Sequence, residues 1–220
     1  MIARRVNGGL LAQPEAKILD FLVIRLPAWV TPDQMTGLGI LGAALGGLGF
    51  ALALSSWVSL GLVFAGLILN WLGDSLDGRL AQHRRIERNK QGFIIDNGVD
   101  LIAYFLLTLG FAASGLVSLP VPFLLLSLYM LLSNLALARL IITGVHELAV
   151  YSIGTTELRV GFLLLAILLF FLPEFFRAVI PLLDIRVLDF LSLFWAFVML
   201  LNFILVLRRD IRLAREADED

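Results

Sequence analysis

DSLDGRLAQHRRIERNKQGFIIDNGVD, residues 74–100, decides the reading of this chain. It holds four aspartates: Asp74 and Asp77, spaced i, i+3, and Asp96 and Asp100, spaced i, i+4. Each pair therefore lies on one face of its own helix. Both pairs adjoin long apolar runs, where a carboxylate is costly and usually functional. Between them runs a basic segment with Arg79, Arg84, Arg85, Arg88 and Lys90. Two helices joined by a short basic turn would bring the four carboxylates together. Crowded like charges repel unless divalent cations sit among them, and hard oxygen donors suit Mg²⁺, Mn²⁺ or Ca²⁺. A combined charge near −4 matches two such ions. Paired ions bridge a diphosphate and stabilise charge on the attacked phosphorus and the leaving oxygen.

The surrounding chain places this motif in a membrane. Of 220 residues, 60% are hydrophobic, and the mean hydropathy is +0.93. The apolar residues come in long blocks, so an integral membrane protein is the class that fits. With no cysteine, disulfides, thiolate metal sites and cysteine nucleophiles are excluded. Two histidines, His83 and His146, are too few for a histidine-rich zinc site. The first residues, MIARRVNGGLLAQPEAK, lack a continuous apolar core, so no cleaved leader is expected. A net charge of −1 gives no reason to expect a nucleic-acid partner.

The expected architecture is all-α and a single domain over 1–220, with six transmembrane helices and an interfacial helix. Residues 14–27 are apolar but interrupted by Lys17, Asp20 and Arg25, which suits a helix lying in the interface with both cations reaching toward headgroups. Thr31, Pro32 and Gln34 form a helix-start signature, and Trp29 fits an interfacial belt. Spans follow at about 35–54, 57–77, 92–113, 121–142, 160–172 and 187–207. The first is glycine-rich, and its Gly42-x3-Gly46 pair permits close helix approach. Residues 173–186 read as a link with a short interfacial piece, and the charged tail after 207 as cytoplasmic or frayed. Six spans put both termini on one side. That side would carry 15 Lys and Arg: four before residue 36, five in 79–91, two in 139–159 and four after 207. The other side would carry two, Arg177 and Arg186. The positive-inside rule then makes the aspartate face cytoplasmic.

Residues 74–100 resemble the signature of the CDP-alcohol phosphotransferase family, D-x2-D-G-x2-A-R-x8-G-x3-D-x3-D. Here it stands as Asp74-x2-Asp77-Gly78-x2-Ala81-Gln82-x9-Gly92-x3-Asp96-x3-Asp100. Seven of the eight fixed positions match; Gln82 replaces the arginine, and the spacer is one residue longer. The stretch Trp29-x2-Pro32-x3-Thr36, the interfacial helix and the six spans are also similar to the family. The resemblance implies an enzyme that cleaves the diphosphate of a CDP-linked alcohol, moves the phosphoalcohol to a hydroxyl and releases CMP. It implies two Mg²⁺ or Mn²⁺ ions on Asp74, Asp77, Asp96 and Asp100, with Asp100 also the base on the acceptor hydroxyl. Asp74, Asp77, Gly78, Ala81, Gln82, Gly92 and Asp96 would line the CDP site. Either Arg84 or Arg85 would supply the missing phosphate contact from a shifted turn, or that contact is weakened. Glu157 and Arg159, in GTTELR, are similar to a G-x-T-E-x-R element of part of the family and would contact the acceptor or a phosphate, or close the pocket; the plainer reading is a helix-start carboxylate favoured by the dipole. The implied setting is a bacterial or archaeal cell membrane, with membrane lipids as partners and room for a homodimer.

Other readings compete. An intramembrane prenyltransferase also holds a diphosphate through aspartate-bound metal, but six spans are few for that bundle. A cation transporter would put its acids near the midplane on several helices. Within the resembling family, the short chain favours phosphatidyl transfer from CDP-diacylglycerol to a small polar alcohol. Asp96-Asn97-Gly98-Val99-Asp100 and the glycine after Thr36 look somewhat like the branch that transfers a choline- or ethanolamine-type head group to a lipid hydroxyl. Among weaker candidates, His83, His146 and Glu147 read as loop surface. Asn70 reads as a buried hydrogen-bonding residue or as a nucleotide contact.

Overall fold

The computed structural model describes residues 4–6, 11–143, 145–147 and 155–219. A short strand β1 (Arg4–Val6) precedes the helices α1 (Ala12–Val23), α2 (Pro32–Ala51), α3 (Trp57–His83), α4 (Asn89–Ala113) and α5 (Pro120–Thr143). Strand β2 (Val145–Glu147) pairs in parallel with β1. Then come α6 (Thr155–Phe171), α7 (Pro173–Arg177), the antiparallel pair β3 (Val179–Ile180) and β4 (Ile185–Arg186), and α8 (Val187–Glu219). This is the architecture of an α-helical multi-pass membrane protein. Five helices, α2, α3, α4, α5 and α8, are long and apolar enough to cross a membrane.

The sixth expected span corresponds to α6, which is apolar but shorter. Its 17 residues rise about 25 Å, less than the ~30 Å of a hydrocarbon core. Five of the six expected spans are thus present as helices long enough to cross, and α6 falls short of that length. The interfacial segment is also shorter than the expected 14–27: α1 ends at Val23, and the chain turns through Ile24–Leu26. Arg25 folds back onto its own helix, donating to the Phe21 carbonyl at 2.8 Å and stacking over the Phe21 ring, rather than reaching outward. The tail is not frayed from residue 208, because α8 continues as helix to Glu219. Its continuation is tied down by a buried ion pair: Arg139 on α5 grips Asp210 through Nε at 3.0 Å and Nη2 at 2.7 Å.

Helix starts are set by local chemistry. Thr31 caps α2 and Gln34 reaches back to the Thr31 N–H, a reciprocal capping box with Pro32 in the first turn. Ser56 and Ser59 make the same reciprocal pair at the start of α3. The core is built on glycine. A Cβ on Gly66 would strike the backbone of Gly46, one on Gly73 that of Gly39, and one on Gly110 that of Gly47. A Cβ on Gly49 would lie 2.6 Å from the Val63 nitrogen. α2 therefore lies backbone to backbone against both α3 and α4, which no larger residue allows.

Two apolar clusters flank this seam. One, at the end away from the aspartates, joins Phe50, Leu60, Val63, Leu107, Phe111 and Leu169 among others. The other seats α1 on α3 through Leu19, Val23, Leu76 and Leu80. α6 lies along α3 in the opposite direction. Its Arg159 reaches Asp74, and its Phe170 and Phe171 pack on Trp57 at the other end of α3.

The glycine seam predicts a sharp contrast. Gly110→Ala puts a methyl into the Gly47 backbone and is expected to cost at least about 1–3 kcal/mol. Gly61→Ala meets nothing within 4 Å and is expected to be neutral or stabilising by up to about 1 kcal/mol, the helix-propensity difference. Thermal unfolding in detergent compares the two. Equal melting temperatures would remove the seam from its central place.

Candidate active site

The site is assembled at the C-terminal end of α3 and the N-terminal end of α4. These helices are joined by the five-residue turn Arg84–Arg88, in which Arg85 takes a left-handed φ of 57°. The longer spacer of the motif is absorbed here, because α3 runs on through Asp77, Gly78, Ala81 and Gln82 to His83. The turn is held down on the N-terminal segment. Arg79 pairs with Asp20 and Arg88 with Asp33. Arg84 donates to the carbonyls of Pro27 at 2.8 Å, Ala28 at 3.3 Å and Val30. These three bonds give Arg84 a bracing role in place of the expected phosphate contact. Arg85, Gln82 and His83 are exposed.

The four aspartates lie within electrostatic reach of one another. Asp77 feels the charges of Asp74 and Asp96, and Asp100 those of all three others and of Arg159. Asp77 is the most enclosed, and each of its oxygens has a partner. Thr36 Oγ1 donates to Oδ2 at 2.7 Å, and the Gly78 N–H donates to Oδ1 at 2.6 Å. Thr36 comes from α2, so the glycine seam also sets the orientation of this carboxylate. Among the described residues, no three acidic or histidine side chains already stand as a metal-binding group. Asp74, Asp77, Asp96 and Asp100 share a site without forming a closed ligand set.

Arg159, on α6, enters this cluster. Its side chain is 6% exposed. Nε donates to Asn70 Oδ1 at 2.9 Å, Nη2 donates to Asp74 Oδ2 at 2.7 Å, and Nη2 lies 4.0 Å from Asp100 Oδ1. Asn70 is buried and donates in turn to the Gly39 carbonyl at 3.0 Å. A chain of bonds thus runs from α2 through α3 to α6, and Asn70 serves as its link. The side chain of Glu157, like those of His146 and Glu147, lies outside the described residues.

Two features of the site are not among the residues singled out from the sequence. Glu15, on α1, accepts at one oxygen from Trp71 Nε1 (2.7 Å), Ser75 Oγ (3.2 Å) and Thr156 Oγ1 (3.0 Å). It fastens α1 to α3 and to the first turn of α6, one turn before Arg159. A signal was present: Glu15, Leu19 and Val23 recur at i, i+4, i+8, so Glu15 shares the buried face of α1. The second is Tyr104, one turn inward from Asp100 on α4 and buried against Tyr129 of α5. The i+4 and i+8 spacing from Asp100 and Asp96 marks it as part of the same face.

In charge, the donor set fits divalent cations. Among the described residues, the Arg159 guanidinium stands beside Asp74 and Asp100 in a site richer in carboxylates than in cations. All the donors are hard oxygens. Gly78 and Gly92 have nothing within 4 Å of a Cβ position, so packing does not require either to be glycine.

Removing Arg159 leaves the Asp74 carboxylate among like charges without its partner, which costs about 3–5 kcal/mol, whereas removing the Asp74 charge leaves Arg159 with Asp100 4.0 Å away and costs less. Arg159→Met and Asp74→Asn are each expected to lower the melting temperature. The double variant is expected to lose less than the two losses summed, with a coupling of about 1.5–3 kcal/mol. Strict additivity would mean that the pair contributes nothing.

No protein-family model matches this chain, and no curated protein matches it significantly.

Proposed function

We propose that this chain is a CDP-alcohol phosphotransferase that moves a phosphatidyl group from CDP-diacylglycerol to the hydroxyl of a small polar alcohol, releasing CMP. The observation that carries the reading is the convergence of Asp74, Asp77, Asp96 and Asp100 from two helix ends, with the Arg159 guanidinium beside Asp74 and Asp100. The glycines of the motif, Gly78 and Gly92, leave open helix surface beside these acids, which would give a nucleotide diphosphate room to approach the backbone.

Asp74, Asp77, Asp96 and Asp100 would hold one or two Mg²⁺ or Mn²⁺ ions. When bound, these supply positive charge to the diphosphate and to the leaving phosphate. Thr36 orients Asp77 as an outer partner of a metal ligand does. Asp100 takes the proton of the acceptor hydroxyl as the new oxygen–phosphorus bond forms. The bond from that phosphorus to the CMP oxygen breaks, and CMP leaves with the electron pair. Gln82 stands where the motif carries arginine, and Arg84 is committed to the turn, so the nucleotide phosphates rely on the ions more than on a side-chain cation.

We also propose that α6 completes a sixth crossing. Its two ends meet the two ends of the α3 span, at Asp74 and at Trp57. That leaves both termini and the carboxylates on the cytoplasmic side, as the distribution of lysine and arginine favours. A reporter fused after Ala217 is then expected to read cytoplasmic, and one placed at residue 182 external. A cytoplasmic reading at 182 would overturn the sixth crossing.

The activity is tested with labelled CDP-diacylglycerol and a panel of alcohols: serine, inositol, inositol phosphate, glycerol phosphate and choline. Metal-dependent CMP release is expected with one of them and is expected to stop in excess EDTA. A CDP-linked small alcohol with diacylglycerol as acceptor is the arm that detects head-group transfer instead. Asp100→Asn is expected to cut turnover by roughly 10²–10⁴-fold, the range for loss of a general base, while sparing nucleotide binding. Asp74→Asn is expected to lose nucleotide affinity as well. If Asp100→Asn turns over normally, the base lies elsewhere.

A further inference from the structure

Two buried polar atoms beside the carboxylates make no well-formed hydrogen bond among the described residues. Arg159 is buried with Nε on Asn70 and Nη2 on Asp74, yet its Nη1 has none. Tyr104, 8% exposed, makes no well-formed hydrogen bond through its hydroxyl, although the Tyr129 hydroxyl is nearby. Both groups sit within electrostatic reach of Asp100 and of each other. A buried tyrosine hydroxyl normally finds a partner, and a buried guanidinium nitrogen left empty is costly. The Tyr104 ring is fixed against the Tyr129 ring, centroids 4.2 Å apart and planes at 43°, so the hydroxyl has a set position.

We propose that Tyr104 and Arg159 Nη1 hold the reacting hydroxyl of the acceptor alcohol against Asp100, on the inner side of the carboxylate cluster. The identity of this occupant rests on the transferase reading above. An alcohol oxygen has two lone pairs and one proton. It accepts from the Tyr104 O–H and from an Arg159 Nη1–H, and it donates its proton to the Asp100 carboxylate. Before reaction this uses both buried donors. As the phosphorus approaches, the bond to Arg159 Nη1 is given up and that lone pair attacks, while the Tyr104 O–H stays on the oxygen and stabilises the negative charge that grows there as Asp100 removes the proton. The hydroxyl then bonds to the phosphorus, and CMP leaves from the opposite side. The placement separates the substrates: the nucleotide lies toward the α3–α4 turn, and the acceptor hydroxyl lies toward Tyr104 and α5.

The test is Tyr104→Phe, which keeps the ring and its packing on Tyr129 and removes one oxygen. Without substrates the variant is expected to melt no lower than the native protein, because that oxygen makes no well-formed bond. With substrates, the KM for the acceptor alcohol is expected to rise by about tenfold or more, the effect of one lost hydrogen bond to a buried group. The KM for CDP-diacylglycerol is expected to stay unchanged. Thermal stabilisation by the best acceptor of the panel, measured without CDP-diacylglycerol, is expected to weaken in parallel. An unchanged acceptor KM and an unchanged thermal shift, in a native enzyme that releases CMP, would overturn the acceptor seat and leave the transferase reading intact. A donor KM raised as much as the acceptor KM would overturn it too. If the native protein releases no CMP yet one panel compound stabilises it in a Tyr104-dependent way, the transferase reading fails and binding of a polar ligand at Tyr104 stands.

Discussion

Everything at the site depends on how closely α2 can lie against α3 and α4. Gly39, Gly42, Gly46, Gly47 and Gly49 face Gly73, Gly66, Gly110 and Val63 so closely that a Cβ on Gly42, Gly47, Gly49, Gly66, Gly73 or Gly110 would strike the facing helix. In a bilayer, helices gain little from hiding apolar surface from one another, because lipid tails are as apolar as leucine. Close packing and hydrogen bonds must supply the association. The glycine seam provides the first, and it brings the second within reach: Asn70 meets the Gly39 carbonyl, and Thr36 meets Asp77, only because the backbones nearly touch.

From that seam the charged groups follow outward. Asn70 passes the fixed position of α2 to Arg159, and Arg159 sets Asp74. Glu15 gathers α1, α3 and α6 at the level of Ser75. The basic turn serves as a strap, with Arg79, Arg84 and Arg88 fastened to the segment between Asp20 and Asp33. Exposed ion pairs of this kind contribute little stability singly. Their combined effect is to fix the level at which α3 ends and α4 begins, and hence the relative height of the two aspartate pairs.

What the sequence made legible is what depends on neighbours along the chain. The capping box at Thr31 and Gln34, the close-approach glycines of α2 and the facing of each aspartate pair all follow from spacings of three and four. What it hid depends on partners 40 to 140 residues away. Arg84 and Arg85 were indistinguishable as free cations, yet one braces three carbonyls and the other stands exposed. Arg139 and Asp210 each look like ordinary helix-end charges until α5 and α8 pack and bury them as a pair. The 3.6-residue period told that Tyr104 shares a face with Asp100, but only the packing of α6 brings Arg159 there. The length of α6 was also hard to judge, since its first residues are polar and its last adjoin a proline.

The Thr36–Asp77 bond bears on how the protein is made. α2 and α3 are consecutive and joined by the short segment Leu52–Ser56, so they form a long hairpin that leaves the ribosome before α4 to α8. This hairpin already contains most of the glycine contacts. It also contains the hydroxyl that receives the most enclosed of the four acids. Asp77 therefore enters the membrane boundary with its partner supplied by the helix synthesised just before it. Asp96 and Asp100 are added by α4 to a half-site that is already in place, and Arg159 arrives last, when the negative charge it must meet is complete.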